Sequence, residues 1–213
     1  AVWTDRPAPS PALMTVHPDE FSGQSSAEKR AAVSDWLTEK GLDATIVSAL
    51  DSVAWLFNVR GSDVDRTPVA LSFAVVGQDG IADLYVAPEK IDDAVRQHLG
   101  NAVRIHDRED FAPALKSMSG KKIAVDPEHA VSAIFAALQA GGATVVELRD
   151  PTILAKALKN PVEQAGHRAA QRRDGAALSR FLHWISVEAP KGTVTELSAA
   201  EKLQSFRAAT GKL

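Results

Sequence analysis

Residues 102–147 read AVRIHDREDFAPALKSMSGKKIAVDPEHAVSAIFAALQAGGATVVE, and this stretch decides the fold class. Strand-like runs at 102–105, 122–125 and 144–147 alternate with segments at 108–118 and 129–140 whose apolar residues have helical spacing. A further helix is predicted at 88–99, just before the first of these strands. Such alternation of helix and strand predicts a layered α/β sandwich.

The sequence before residue 88 adds consecutive strands to this sheet. Strands are predicted at 44–48, 52–59, 69–77 and 81–87, and the glycine-bounded turn at 77–80 predicts a hairpin between the last two. Ser25 and Ser26 precede Glu28 in a capping pattern that starts a helix, and Gly41 ends it. Strands followed by strand–helix units predict a mixed β-sheet sandwiched by helices.

Two further segments flank this domain, which we place at residues 25–158. The composition of residues 1–24 predicts an extended linker or arm, because four prolines stand among small and polar residues. These are Pro7, Pro9, Pro11 and Pro18. Residues 159–213 predict two helices. The first is predicted at 161–187, and the second begins near Thr193, where Thr193 and Glu196 form a capping box, and ends at Gly211.

The two C-terminal helices have more apolar surface than they can cover themselves. The first helix begins at Asn160, Pro161 and Glu163, a strong helix-start signal. In its second half the apolar side chains share one face, and these are Ala177, Leu178, Phe181, Leu182 and Ile185. Gly166 and Gly175 each destabilise a helix interior relative to alanine. We interpret their presence as a sign that another backbone approaches the helix closely at these positions. The sequence therefore predicts the opening of a second domain whose remainder is absent.

Composition excludes several classes of protein. The 213 residues are 45% apolar and 24% charged, with 24 basic and 27 acidic residues and a net charge of −3, so nucleic acid is not an expected partner. The absence of cysteine excludes disulfides, thiolate metal sites and a cysteine nucleophile. No apolar run approaches the ~20 residues of a membrane span, and the N-terminal residues lack the basic-then-apolar pattern of a signal peptide, which predicts a cytoplasmic protein.

No complete catalytic motif is present. The six histidines include no His-Glu-x-x-His pattern, and His167 and His183 stand about 160° apart around one helix. No Gly-x-Ser-x-Gly sequence marks a serine nucleophile. Ser119–Gly120–Lys121 lacks both the leading glycine and the following hydroxyl residue of a phosphate loop. We therefore assign no catalytic residue and no metal ligand.

The charged loop at 58–68, directly after Trp55, is the candidate cleft or interface loop. Arg60 and Asp63, with Asp65 and Arg66, could present a guanidinium or carboxylate to a ligand or a neighbouring domain. The alternative is a solvated turn in which Asp63 hydrogen-bonds its own backbone. A metal site at the two aspartates is disfavoured by the two arginines.

Several segments together resemble a known family. They read SVAWLFNVRGSDV at 52–64, TPV at 67–69, WTDRP at 3–7, GQSSAEKR at 23–30, KNPVE at 159–163 and RDG at 173–175. They are similar to the second N-terminal domain of three-domain Xaa-Pro aminopeptidases (aminopeptidase P). The resemblance covers nearly the whole chain, although Arg66 stands where relatives often have histidine.

The resemblance implies a creatinase-type N-terminal domain, followed by the first two helices of a pita-bread metallopeptidase domain. It places the family's metal ligands beyond Leu213 and implies two divalent metal ions, manganese, in the intact enzyme. It also implies a peptide substrate with proline at the second position, contacts with the rest of the catalytic domain, and a homo-oligomer. In that setting Trp55, Arg60 and Asp63 belong to the cleft or interface loop, and this chain alone is inactive.

Two alternatives stay open. One is a free-standing interaction or small-ligand module that uses the same α/β domain without chemistry. The other is part of a prolidase- or creatinase-type hydrolase, since these enzymes share the pita-bread architecture. The WTDRP connector at 3–7 favours the three-domain aminopeptidase, because it suggests another domain upstream.

Overall fold

The computed structural model describes residues 3–5, 8 and 10–212. Arg6, Pro7 and Pro9 of the predicted arm, and the C-terminal Leu213, lie outside the described residues. The chain divides into two compact units, Ala1–Lys159 and Asn160–Leu213. Each unit is described by itself below.

The first unit is built on a mixed sheet, as predicted, and this sheet has six strands. Its strands are β2 (Ala44–Val47), β4 (Ser72–Gly77), β5 (Ala82–Val86), β6 (Val103–His106), β7 (Lys122–Val125) and β8 (Thr144–Glu147). Their order is β6-β5-β4-β2-β7-β8. Strand β4 runs antiparallel to both of its neighbours, whereas all other pairs are parallel. The hairpin predicted at 77–80 joins β4 to β5 and is confirmed.

Helices cover both faces of this sheet. They are α2 (Ser26–Lys40), α3 (Leu50–Phe57), α4 (Asp93–Leu99), α5 (Phe111–Lys116), α6 (Ser132–Ala140) and α7 (Thr152–Ala157). Neighbouring strand residues point to opposite faces, so Val47 packs with α2, α3 and α4 whereas Ile46 packs with α5 and α6. The predicted layered sandwich is therefore confirmed.

Three helices of the first unit begin later than predicted. The helix predicted at 88–99 begins at Asp93, where Asp92 caps it, and a short 3₁₀ turn at Pro88–Lys90 precedes it. Those predicted at 108–118 and 129–140 begin at Phe111 and Ser132. In each case apolar spacing locates the helix but not the turn that leads into it.

The strand predicted at 52–59 is wrong, because this segment forms helix α3. Val53, Leu56 and Phe57 follow the i, i+3, i+4 spacing of one helical face, and each is at most 1% exposed. The run is rich in β-branched and aromatic residues, which favours strand locally. Burial of one helical face against the sheet overrides that preference. Asn58 ends the helix in the left-handed conformation, with φ of 50°.

The second unit is a pair of helices, α8 (Pro161–Glu188) and α9 (Glu196–Ala208). The predicted start of α8 is confirmed, since Asn160 and Glu163 form a reciprocal capping box. The capping box predicted at Thr193 and Glu196 is wrong, because Thr195 and Ser198 form it and the helix begins at Glu196. Among the described residues of α8, Ala177 alone is buried, and Leu182 is 56% exposed.

Replacing Gly166 or Gly175 with alanine is expected to stabilise the helical unit. A methyl group at either position would meet nothing within 4 Å, so among the described residues no other backbone approaches closely at these two sites. Each change should raise the free energy of unfolding by about 0.5–1 kcal/mol, measured by thermal unfolding followed by circular dichroism. The control Gly192→Ala, at φ +74°, should lower it. A loss at Gly166 or Gly175 would contradict the open surroundings.

Candidate interface loop

The 58–68 loop lies against a strap, defined as residues 10–24. Within the strap, β1 (Thr15–Val16) pairs antiparallel with β3 (Val59–Arg60) of the loop, and α1 (Asp19–Ser22) follows. Met14 is 2% exposed and belongs to the core of the first unit. This part of the predicted extended arm is therefore packed onto the domain.

A buried ion pair ties one end of the loop to the strap. The Lys90 Nζ donates to Asp63 Oδ1 at 2.6 Å, and the two side chains are 3% and 2% exposed. Asp63 Oδ2 accepts the N–H of Leu71 at 2.7 Å. Lys90 also donates to the carbonyl oxygen of Ser10, and its own carbonyl accepts the N–H of Met14 at 2.8 Å. One ammonium group therefore connects the strap, the loop and the turn that carries Lys90.

Asn58 ties the other end of the loop to the strap. Its Nδ2 donates to three strap oxygens, and these are Asp19 Oδ1 at 3.0 Å, Ser22 Oγ at 3.1 Å and Gln24 O at 2.8 Å. Its backbone carbonyl oxygen accepts a hydrogen bond from the backbone N–H of His17 at 2.8 Å. Because Asn58 is 1% exposed, these bonds satisfy an amide that would otherwise be buried without partners.

Lys29 of α2 completes this second contact. Its Nζ donates to Asn58 Oδ1 at 2.5 Å and to the Trp55 carbonyl at 3.0 Å. The same ammonium lies 4.3 Å from the centre of the Trp55 ring, a cation–π distance. Trp55 is half-buried at this point and thus helps to hold the loop's first residue.

The remaining loop residues divide into an inward-facing base and an outward-facing tip. Arg60 Nη1 donates to the carbonyls of Ala54 at 3.2 Å and Val59 at 2.8 Å. Gly61 lies so close to the segment that leads into β4 that a Cβ there would stand 2.7 Å from Ala70 Cβ. Residues 64–67, here called the tip, are exposed and closed by a Val64–Thr67 bridge.

The structure places Arg60 and Asp63 in the base of the loop and Trp55 in the last turn of α3, directly before it. The polar contacts of these residues point into the domain, at Trp55, Arg60 and Asp63. The exposed surface of the loop is therefore formed mainly by the tip. The sequence missed Lys29 and Lys90, because a lysine has no local pattern that marks burial. Asn58 carried a signal, since asparagine is among the residues that readily adopt left-handed helix ends.

The depression that the described residues form beneath the loop is too narrow to admit one water molecule. It is lined by apolar side chains, by Arg60 and by Ser72. Met14 of the strap forms one wall, and Val53, Val59 and Ala70 form the others. Any role of the loop in binding therefore depends on its outer surface.

One group of described residues has ligand atoms close enough for a metal ion. Asp126, Glu128 and His129 place one atom each within 4.8 Å of one another. The Asp126 carboxylate already accepts the N–H groups of Glu128 at 2.8 Å and Asp150 at 2.9 Å, and contacts His129 Nδ1 at 3.1 Å. Burial raises the pKa of Asp126, but these N–H groups and His129 outweigh it and hold the pKa below its usual value. These hydrogen bonds explain why the three side chains lie together, because they close the turn that begins at Asp126.

Within the described ranges, no helix is both long enough and apolar enough to cross a bilayer.

The fold and the loop define a class of protein. Residues 5–163 match the Creatinase/Prolidase N-terminal domain, and the chain belongs to this family. The chain is similar to probable Xaa-Pro aminopeptidase P from Aspergillus fumigatus, with 38% identity over 217 residues, 97% of this chain and 33% of the relative. A probable Xaa-Pro aminopeptidase P from Coccidioides posadasii is 37% identical over 218 residues, 97% of this chain and 35% of the relative. The chain spans about a third of the length of these relatives.

Solved structures agree with this assignment. The X-prolyl aminopeptidase from Caenorhabditis elegans, described as a cytosolic enzyme with a di-nuclear active site, superimposes with a TM-score of 0.86. It is 30% identical, and the match covers 97% of this chain and 34% of that enzyme. An Xaa-Pro dipeptidase from Bacillus anthracis, at 14% identity and a TM-score of 0.62, covers 87% of this chain and 50% of its own and shares the fold.

Proposed function

We propose that this chain is the non-catalytic portion of a metal-dependent Xaa-Pro aminopeptidase that removes an N-terminal residue preceding proline. The observation that carries the proposal is the 97% coverage of this chain by the Caenorhabditis elegans X-prolyl aminopeptidase at a TM-score of 0.86. That match includes both units, and the exposed Leu178, Leu182 and Leu197 of the helical unit support further protein packing there. We propose that residues 159–213 begin the catalytic domain.

The described residues do not fit a di-nuclear metal centre. Two ions close together need bridging carboxylates and several ligands each. The group of Asp126, Glu128 and His129 offers three ligand atoms, and the Asp126 carboxylate is already engaged by backbone N–H groups. We therefore propose that two divalent ions, manganese, bind in the rest of the enzyme, which we place in the cytoplasm, and we derive no catalytic step from this chain.

The purified chain is expected not to cleave a peptide with proline at its second position when manganese is added. Release of the N-terminal amino acid would be followed by chromatography, with a metal-only blank and an intact Xaa-Pro aminopeptidase P as positive control. Turnover clearly above the blank would refute the proposal that the metal site lies elsewhere.

We propose that the 58–68 loop shapes the substrate cleft or a contact between subunits of a homo-oligomer. Trp55, Arg60 and Asp63 hold its base, whereas Asp65 and Arg66 are exposed at the tip. Arg66 has a φ of 61°, a backbone conformation that costs energy for a residue other than glycine. A partner would therefore meet the tip, and the three base residues would act by positioning it.

In the intact enzyme, Asp65→Ala and Arg66→Ala should change kcat/KM for the peptide or the subunit dissociation constant by about threefold to tenfold. Exposed tip residues should leave thermal stability within about 0.5 kcal/mol of the parent. Steady-state kinetics and sedimentation would be compared with Lys121→Ala, an exposed charge outside the loop. If both tip variants match the parent in kinetics and in oligomeric state, the loop has neither role.

A further inference from the structure

We infer that the strap and the 58–68 loop form one conformational unit, which opens and closes as a whole and separately from the sheet. The unit is held at two ends by different buried groups, Lys90 with Asp63 and Lys29 with Asn58. This coupling goes beyond the proposed function and does not depend on it. Because the strap holds the base of the loop, the closed strap fixes the position of the tip.

The two ends are linked through the backbone of the loop and the strap. Between them lie the antiparallel pairs Thr15–Arg60 and Val16–Val59. Of the strap's apolar side chains, Met14 is buried in the core and Val16 packs against it, whereas Leu13 and Phe21 are 51% and 58% exposed. Few buried apolar contacts and a short hydrogen-bonded ladder are the features of segments that open before the rest of a domain.

Opening one end should release the other because the short backbone segment that pairs with the strap joins them. Moving Asn58 breaks its bonds to Asp19, Ser22 and Gln24 and removes an acceptor from Lys29. Val59 and Arg60 lie between Asn58 and Asp63 and pair with the strap, so displacement of either end pulls on the same two-residue ladder. In the open state the Asp63 carboxylate reaches water, so it no longer carries the free-energy cost of a buried charge without a partner.

The test reads amide hydrogen exchange in this chain by NMR. The backbone N–H of His17 donates to the Asn58 carbonyl and therefore reports on the Asn58 end. The backbone N–H of Leu71 donates to the Asp63 carboxylate and therefore reports on the Asp63 end. Ile46, in a strand paired on both sides, reports on the sheet. We expect His17 and Leu71 to share one protection factor within about threefold, below that of Ile46.

Each variant is then read at the far end. Lys90→Met should accelerate exchange at His17 as well as Leu71, by a common factor of about a hundredfold to several thousandfold. Asn58→Gly keeps the left-handed conformation available and removes the side-chain amide, so it should accelerate Leu71 as well as His17 by a common factor. Lys40→Met, at an exposed pair with Glu39, is the matched control and should change neither.

Two outcomes would overturn the inference. If each variant accelerates only the amide at its own end, the strap and loop are not one unit. If His17 and Leu71 in the parent chain exchange at the rate of Ile46, they open only with the sheet. Should Lys90→Met fail to fold, the response of Leu71 to Asn58→Gly decides the matter alone. No activity is measured, so a failure here is separate from a failure of the proposed aminopeptidase function.

Discussion

Replacing Phe57 with alanine is expected to lower the free energy of unfolding of the first unit by about 3–5 kcal/mol. Phe57 is 0% exposed and lies among the residues that pack α3 against the sheet. Removing the ring loses its burial and leaves a cavity that close-packed neighbours cannot fill. Urea denaturation followed by tryptophan fluorescence and circular dichroism would measure the loss.

The same deletion at an exposed phenylalanine is the control. Phe21 is 58% exposed, so Phe21→Ala should cost less than about 1 kcal/mol. Leu56→Ala should cost about 2–5 kcal/mol, because Leu56 is also 0% exposed on the same helical face. A loss below about 1 kcal/mol for both Phe57→Ala and Leu56→Ala would contradict the helical packing of this segment.

Local sequence signals predicted the elements whose ends are marked by side chains close in sequence. Ser25 with Glu28, and Asn160 with Glu163, satisfy the free N–H groups of a helix start within one turn. The hairpin at 77–80 is fixed in the same way by turn residues. These predictions are confirmed because the stabilising contacts involve residues three or four positions apart.

The prediction at 52–59 failed because the deciding contacts are distant in sequence. An apolar run of this length fits a buried strand or a buried helical face equally well. Val53 and Phe57 become helical because their shared face packs against strands that begin at Ser72 and beyond. No pattern within the segment contains that information.

The candidate site was predicted in part for the same reason. The charge density and the Gly61 and Pro68 positions identified the loop from sequence alone. The partner of Asp63 could not be identified, since Lys90 lies 27 positions away and nothing around it differs from a surface lysine. Which charges of the loop face inward is therefore a property of the fold.

Lys90→Met is expected to lower the free energy of unfolding by about 3–5 kcal/mol, because it leaves the Asp63 carboxylate buried without its cation. The side chains are 3% and 2% exposed, so water cannot replace the lost ammonium while the loop stays in place. Urea denaturation would measure the loss. Lys40→Met, at a pair whose side chains are 43% and 70% exposed, should cost less than about 1 kcal/mol.

The double variant Lys90→Met/Asp63→Leu separates the charge from the packing. With both ions replaced by apolar groups the buried charge is gone, and about half or more of the loss should be recovered. Recovery stays incomplete because the N–H of Leu71 loses its acceptor, at a cost of about 1–3 kcal/mol. If the double variant is less stable than Lys90→Met, the pair acts through its hydrogen bonds to the strap and the loop. Since an open strap lets Asp63 reach water, the loss in Lys90→Met alone cannot exceed the free energy that holds the strap closed.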